Sequence, residues 1–307
     1  MGPLHVHAVS ELGRQVPCRR PDDARSAAAR RGRPVKPIVL TAGYDRAPHS
    51  VAIAEGLRRL GTPPDLILIA YPFSLTRIRA IIRSRGLGTV LNYTSGKGAK
   101  SPGKDPHSSP LREYLTGTGL AEQSSLKRWA TQWNVRCTSV GDINSHAAAR
   151  IVSRLGPCIT GYTGGGILRR RFLDAAGHYV LNAHSGPLPA IRGMNACEWS
   201  LLLEQPVSVT LHHIDEGIDT GPELERIAVE ARTGDTVDAL RERCVVAGID
   251  AMVRHLHAAA TGAAATPYSR PGPSGRQCFV MAPALRELLE QRLPALITRQ
   301  QKMAQQA

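Results

Sequence analysis

A chain of 307 residues with 42% apolar and 4% aromatic content has room for one large domain or two ordinary ones, with Leu, Val, Ile and Ala carrying the packing. No apolar run reaches the roughly 18 residues of a membrane span, and the opening "MGPLHVHAVSELGRQVPCRR" lacks the basic start and apolar core of a secretory leader, so a cytoplasmic protein without a membrane partner is expected. The formal charge of +14 points to anionic partners such as nucleotide, phosphate or nucleic acid.

The six cysteines, Cys18, Cys137, Cys158, Cys197, Cys244 and Cys278, include no Cys-x-x-Cys pair. That spacing argues against a zinc ribbon, a redox motif or a disulfide scaffold, and reduced, mostly buried thiols and no metal site are expected. Residues 1–36 hold eight Lys/Arg against three Asp/Glu and no hydrophobic periodicity, which predicts a disordered basic arm. Within it, Arg31-Gly32-Arg33-Pro34 is a minor-groove tetrapeptide and the basis of a non-enzyme alternative, a nucleic-acid-binding protein.

From residue 37 strands alternate with helices. "PIVLTAG" (37–43) predicts a buried strand, "PHSVAIAEGLRRLG" (48–61) a helix and "PDLILIAY" (64–71) a second strand. "SLTRIRAIIRSRG" (74–86) predicts a second helix, and 92–110 a long polar loop of functional interest, with Lys97, Lys100, Lys104 and Arg112 in or beside it. Helix (121–134), strand (135–140), helix (144–156) and strand (157–168) follow, the last running into "TGGGIL". A short helix (169–177) leads to the strand "HYVLNAH" (178–184). Such alternation predicts an α/β fold with a Rossmann-like open parallel sheet.

Beyond it, the sequence predicts a helix over 195–205, strands over 207–215 and 222–231, and a long helix over 234–260 capped by Asp235 or Thr236. A linker (261–275), a short strand (276–281), a helix from about 283 to 293 and a polar tail complete the chain. The expected organisation is a basic arm (1–36), a catalytic domain (37–260) and a small C-terminal helical and strand extension (261–307).

In a strand, residues i and i+2 share a face, so Asn182 and His184 point the same way at the carboxyl end of a parallel strand, where open α/β sheets bind ligands. Gly186, Pro187 and Pro189 stop that strand. "HHIDEGIDTGPEL" (212–224) then offers Asp219, with Gly217 and Gly221 allowing tight loops around it. A carboxamide, an imidazole and a carboxylate suit acyl transfer to an amine. Asn182 and a protonated His184 would donate to the developing oxyanion. The carboxylate of Asp219 would raise the His184 pKa and accept the amine's proton. No Gly-x-Ser-x-Gly elbow is present.

These residues resemble the folate-dependent formyltransferases. "NAHSGPLPAIRG" (182–193) is similar to that family's Asn-x-His-x-x-x-Leu-Pro-x-x-x-Gly segment, and "VTLHHIDEGIDTG" (209–221) to its Val-Thr-x-His-x-x-Asp-x-x-x-Asp-Thr-Gly segment. The resemblance is strongest over 140–232, weaker over 37–140, and does not extend to 1–36. It implies a catalytic triad of Asn182, His184 and Asp219, with His212 at the family's second histidine and 10-formyltetrahydrofolate as formyl donor. The pteridine is then expected between two backbone loops, one formed by Gly166, Ile167 and Leu168, the other by Asp215, Glu216, Gly217 and Ile218.

Departures from individual members narrow the acceptor. "TAGYDRAPHS" (41–50) does not match the phosphate loop of glycinamide ribonucleotide formyltransferases. "SGPLP" replaces the Ser-Leu-Leu-Pro of methionyl-tRNA formyltransferases, and the 47 residues after position 260 are fewer than their C-terminal β-barrel takes. The arm is also shorter than the regulatory domain of formyltetrahydrofolate hydrolases. A small, anionic or sugar-like amine of sugar or antibiotic biosynthesis is therefore expected, with methionyl-tRNA formylation or hydrolase activity as alternatives. Arg192, Met194, Asn195, Glu198 and Trp199, with His212, are the expected acceptor side. Arg169, Arg170 and Arg171 are candidates for folate glutamates. "VTLHHID" and the C-terminal elements are candidates for a homodimer interface.

Overall fold

The computed structural model describes residues 36–70, 109–121, 124–177, 179–268 and 275–306. The arm up to residue 35, Cys18, the helix expected over 74–86 and the polar loop over 92–108 lie outside the described residues. Seven strands form one sheet: β1 (Ile38–Ala42), β2 (Leu66–Ala70), β3 (Arg136–Val140), β4 (Ile159–Thr163), β5 (Val180–His184), β7 (Ser208–His213) and β8 (Glu223–Ala228), in the order β3-β2-β1-β4-β5-β7-β8. The five strands from β3 to β5 are mutually parallel. This is the α/β architecture expected, with one difference: β7 and β8 run antiparallel, so the sheet is mixed. The short connection between β7 and β8 enforces that reversal, because a parallel neighbour needs a crossover of a dozen or more residues.

Every residue of β1 and β2 is buried, as suits strands covered on both faces. One face is covered by α1 (Pro48–Arg59) and the 24-residue α7 (Val237–Ala260), the latter capped by Thr236 Oγ1, which accepts from Ala239 N at 3.1 Å. Small residues let α7 lie close: an added Cβ at Gly161 would stand 2.7 Å from Leu256 Cδ1, one at Gly56 2.8 Å from Val253, and one at Gly248 3.1 Å from Ala183 Cβ. The other face is covered by α4 (His146–Ser153) and α5 (Arg170–Ala176), whose Val152, Phe172 and Leu173 pack with Val180. Helices α2 (Pro110–Gly117) and α3 (Leu126–Gln132) lie between β2 and β3 in sequence, and α6 (Ala196–Leu202) follows β5.

Two features depart from expectation. A second, two-stranded sheet pairs β6 (Ile191–Gly193) with β9 (Arg276–Cys278) in parallel. The last helix, α8 (Pro283–Gln306), continues through Pro294 where a polar tail was expected. Proline removes one backbone bond, but Leu289, Leu293, Leu296 and Ile297 are all buried with Leu201, Val209 and Leu240, each worth roughly 1.5–3 kcal/mol. Gln300 also accepts from Val207 N at 3.1 Å and donates to Gln205 O at 2.7 Å. The described cysteines are free thiols, four of them buried. Among the described residues no helix is long and apolar enough to cross a membrane.

Candidate active site

The carboxyl ends of β4 and β5 leave the sheet side by side. Strand β5 alternates: Leu181 and Ala183 face α7, whereas Val180, Asn182 and His184 face the other layer. The antiparallel β7 sets His212 opposite Asn182. The loop after β7 begins where Ile214 N donates to Val180 O at 2.8 Å and carries Asp219 back to the level of His184. Gly221 permits that path, since a Cβ there would lie 2.0 Å from the His213 carbonyl oxygen. Asp219 itself adopts φ 51°, the left-handed region that Asp tolerates better than most residues.

The structure brings the three sequence-identified groups together. Asp219 Oδ2 stands 3.4 Å from His184 Nδ1 and accepts from Gly193 N at 2.8 Å, while Oδ1 stands 3.5 Å from both Asn182 Nδ2 and His212 Nε2. Tautomers follow from the partners. His212 Nδ1 is 2.7 Å from the His213 carbonyl, which can only accept, so Nδ1 carries the proton and Nε2 accepts from Asn182 Nδ2 at 3.1 Å. His184 Nε2 likewise donates to Ile191 O at 2.9 Å.

The charge state of His184 differs from the expectation of a protonated ring. Burial lowers its pKa below the ordinary value, and the raising effects of Asp219 and the Ile191 carbonyl offset only part of this. The ring is 6% exposed, and desolvation of its charged form outweighs the carboxylate. Near neutrality Nδ1 is therefore a lone pair facing Asp219. The 3.4 Å separation agrees with that state, being longer than the ~2.7–3.2 Å of a closed hydrogen bond. Burial pushes the Asp219 carboxyl up, but its surroundings, with the Gly193 amide donating to Oδ2, hold it below the usual range, so it is ionised.

The remaining expected site residues divide. Arg192 donates to Ile218 O at 3.4 Å and Gly275 O at 3.0 Å, bracing the loop before Asp219. Met194 is 59% exposed beside this rim. Asn195 and Glu198 bond to each other at 2.7 Å, and buried Glu198 faces Arg241 at 3.5 Å and Arg286 at 3.6 Å. Trp199 Nε1 donates to Phe279 O at 2.8 Å. Asn195, Glu198 and Trp199 thus tie α6 to the C-terminal segment rather than joining the cluster around Asp219.

The two expected backbone loops flank the same layer. Gly164, Gly165 and Gly166 all have positive φ, and Gly164 passes so close to β1 that a Cβ would lie 2.9 Å from Gly43 N. Ile167 is 61% exposed and Leu168 is buried. Asp215 Oδ1 accepts from Gly217 N at 3.0 Å and Thr220 Oγ1 at 2.6 Å, which shapes Asp215–Ile218, with Glu216 exposed. Of the three arginines at the start of α5, Arg170 pairs with Asp174 at 3.7 Å and Arg171 donates to Asn144 O at 3.0 Å; Arg169 is exposed.

Several participants escaped the sequence reading. The Gly193 N–H and the Ile191 carbonyl are main-chain groups with no residue signature. Asn144 Nδ2 donates to Ile167 O at 2.9 Å and its Oδ1 accepts from Arg169 N at 2.8 Å, clamping the glycine loop. His49, at the start of α1, was passed over as an ordinary helix residue; its only sequence signal is its place after the first strand.

Comparison with known proteins agrees with this construction. Residues 144–256 match the family model described as formyl transferase. Among curated proteins, the methionyl-tRNA formyltransferase of Halorhodospira halophila is 38% identical over 108 residues, covering 35% of this chain and 34% of that protein. That of Anaeromyxobacter sp. (strain K) is 31% identical over 158 residues, 50% of each. The matched segments thus span between about a third and a half of those relatives' length. Among solved structures, an N-formyltransferase from Helicobacter canadensis, complexed with folinic acid and dTDP-3-aminofucose, superposes with TM-score 0.50 at 14% identity, over 78% of this chain and 70% of that one. At that identity the likeness speaks to fold. The matched family model spans residues 144–256, the part of the chain that carries both motifs, and over that segment the chain is similar to the formyl transferases.

Proposed function

We propose that the chain moves a formyl group from 10-formyltetrahydrofolate to a primary amine. The observation that carries this reading is the convergence of Asn182, His184 and Asp219, with the carboxylate 3.5 Å from the first and 3.4 Å from the second. The residues present suit a flat reduced-folate ring. Gly164–Gly166 offer main chain without side-chain bulk, exposed Ile167 offers an apolar edge, and Asp215–Ile218 offer a second main-chain wall.

The bound donor supplies a formyl carbon on nitrogen. Asn182 Nδ2 holds His212 at 3.1 Å but Asp219 only at 3.5 Å, so the second N–H is the one free to turn to the formyl oxygen. Negative charge develops there as the amine nitrogen adds, and one such donor lowers the barrier by roughly 2.7–4 kcal/mol. Asp219 accepts the amine's proton, and neutral His184 Nδ1 beside it shares that proton. One C–N bond forms to the amine, the C–N bond to the folate breaks, and the proton ends on the folate nitrogen.

For the acceptor, the sequence favours a small, sugar-like or anionic amine. The relatives favour a second reading, because both curated proteins reported above are methionyl-tRNA formyltransferases. Incubation with 10-formyltetrahydrofolate and a panel of methionyl-tRNA, nucleotide-linked amino sugars and simple amines, followed by mass spectrometry, tests both. Gain of one formyl group on any amine, lost in Asp219→Ala, is expected. Absence of formylation across the panel, or an Asp219→Ala variant of near-normal rate, overturns the proposal.

A further inference from the structure

Asn195 stands two residues beyond Gly193, whose amide donates to Asp219 Oδ2 at 2.8 Å. It holds the cap position of α6, but not as a cap. Its backbone is left-handed, with φ 52° and ψ 35°, and its side chain makes no bond to the amides of the first turn. A cap residue ordinarily sits in the extended region and accepts from those amides, and glycine takes the left-handed region without steric cost. Neither capping nor backbone preference therefore explains an asparagine here.

Its side chain is engaged elsewhere. Oδ1 accepts from Met281 N at 3.1 Å, and Nδ2 donates to Glu198 Oε1 at 2.7 Å. Glu198 is 1% exposed and is fixed from other directions, with Arg241 Nε at 3.5 Å and Arg286 Nη1 at 3.6 Å. Arg286 donates in turn to Asp238 at 2.9 Å, so the Glu198 carboxylate joins α6 to both α7 and α8. The Met281 bond holds the chain just past β9. That strand lies against β6 with Cys278 opposite Gly193, and Met194 N donates to Cys278 O at 3.0 Å. Asn195 thus closes the β6–β9 pair beyond its last register position.

We infer that Asn195 is a positioning residue for Asp219: through Met281 and Glu198 it holds β9 against β6, and so sets where the Gly193 amide and the carboxylate bonded to it come to rest. The kinetic part of this inference rests on the formyl-transfer reading; the geometric part stands without it. In this role Asn195 needs no contact with amine or folate. A looser β6–β9 pair lets Gly193 shift, and the carboxylate that accepts the amine's proton shifts with it. Misplacing a catalytic group by about 1 Å costs roughly a hundredfold in rate, so a side chain bonded away from the reacting atoms acts on kcat rather than on binding.

Asn195→Gly tests this without straining the backbone, since glycine adopts the same conformation and only the two side-chain bonds are lost. The assay uses 10-formyltetrahydrofolate and the amine of the panel above that the wild type formylates fastest. In Asn195→Gly, kcat is expected to fall roughly ten- to a hundredfold, with acceptor KM and the Kd for tetrahydrofolate within about twofold of wild type. Hydrogen exchange at the Gly193 amide, followed by NMR, should quicken roughly tenfold while the amides of β1 and β2 stay protected. Asn195→Asp sets a second carboxylate against Glu198 and should behave in the same way. Combined with Glu198→Gln it reverses the bond: the carboxylate introduced at position 195 accepts from Met281 N and from the new side-chain amide, and both kcat and slow exchange should return. Wild-type kcat in Asn195→Gly, a fall in kcat with unchanged exchange at Gly193, or a double variant no better than Asn195→Asp overturns the inference. If the wild type formylates no amine, the formyl-transfer reading fails and exchange alone decides: faster exchange at Gly193 in Asn195→Gly, reversed in the double variant relative to Asn195→Asp, sustains the positioning role, and unchanged exchange ends it.

Discussion

The two faces of β5 share five residues and almost nothing else. On one face Asn182 and His184 sit in a polar cluster, the first bonded to His212 and the second to the Ile191 carbonyl, with Asp219 beside both. On the other, Ala183 lines a cavity walled largely by Ile53, Val245, Ile249 and Met252, with His49 at its edge. The first is over-determined, with Asp219 held by a main-chain amide and bordered by two rings. The second is permissive. Such a division separates jobs: a rigid cluster suits chemistry that tolerates little displacement, and a largely aliphatic cavity leaves room for local adjustment.

Damage to the polar face should cost most. Asn182→Ala is expected to lower kcat by roughly 10²–10³, the measure of one oxyanion donor, in single-turnover formylation, with little change in Tm because Asn182 is only half-buried. A loss in KM alone would move Asn182 from chemistry to binding. Next comes the loop that delivers the acid. Gly221→Ala drives a Cβ to within 2.0 Å of the His213 carbonyl, so the loop must shift; about 1–3 kcal/mol of stability should go, with a fall in kcat exceeding the effect on acceptor KM. Equal effects on both would mean that the two faces are not independent.

The smallest effect is one of pH. Burial lowers the pKa of His49, His184, His213 and His257 in the folded protein. The unfolded chain therefore binds more protons between about pH 6.5 and the folded values, and stability is lost as pH falls through that window. Tm should be level above pH 7 and decline below 6.5. Because His184 must be neutral to share the proton that Asp219 accepts, kcat/KM should fall on the acid side too. An activity maximum below pH 6 would show that the protonated ring is the working form.

Much of this was legible in the sequence. Period-two spacing placed Asn182 and His184 on one face, glycines around Asp219 marked a sharp loop, and continuous apolar runs marked β1 and β2. The β6–β9 pairing was not legible, because three-residue strands carry no period and their partners are far apart in sequence. Helix α8 was cut short because Pro294 reads as a stop when the burial of Leu296 and Ile297 is unknown. The His184 charge depends on how deeply the ring is buried, which spacing does not report.

The amide of Gly193 that grips Asp219 is anchored from behind: Met194 N donates to Cys278 O at 3.0 Å, and a Cβ on Gly193 would sit 2.2 Å from that same oxygen. During translation Asn182, His184 and Asp219 leave the ribosome well before Cys278 does. A nascent chain already holding all three therefore lacks the backing for the acid's main-chain grip, and catalytic competence should arrive only with the emergence of residues 276–278.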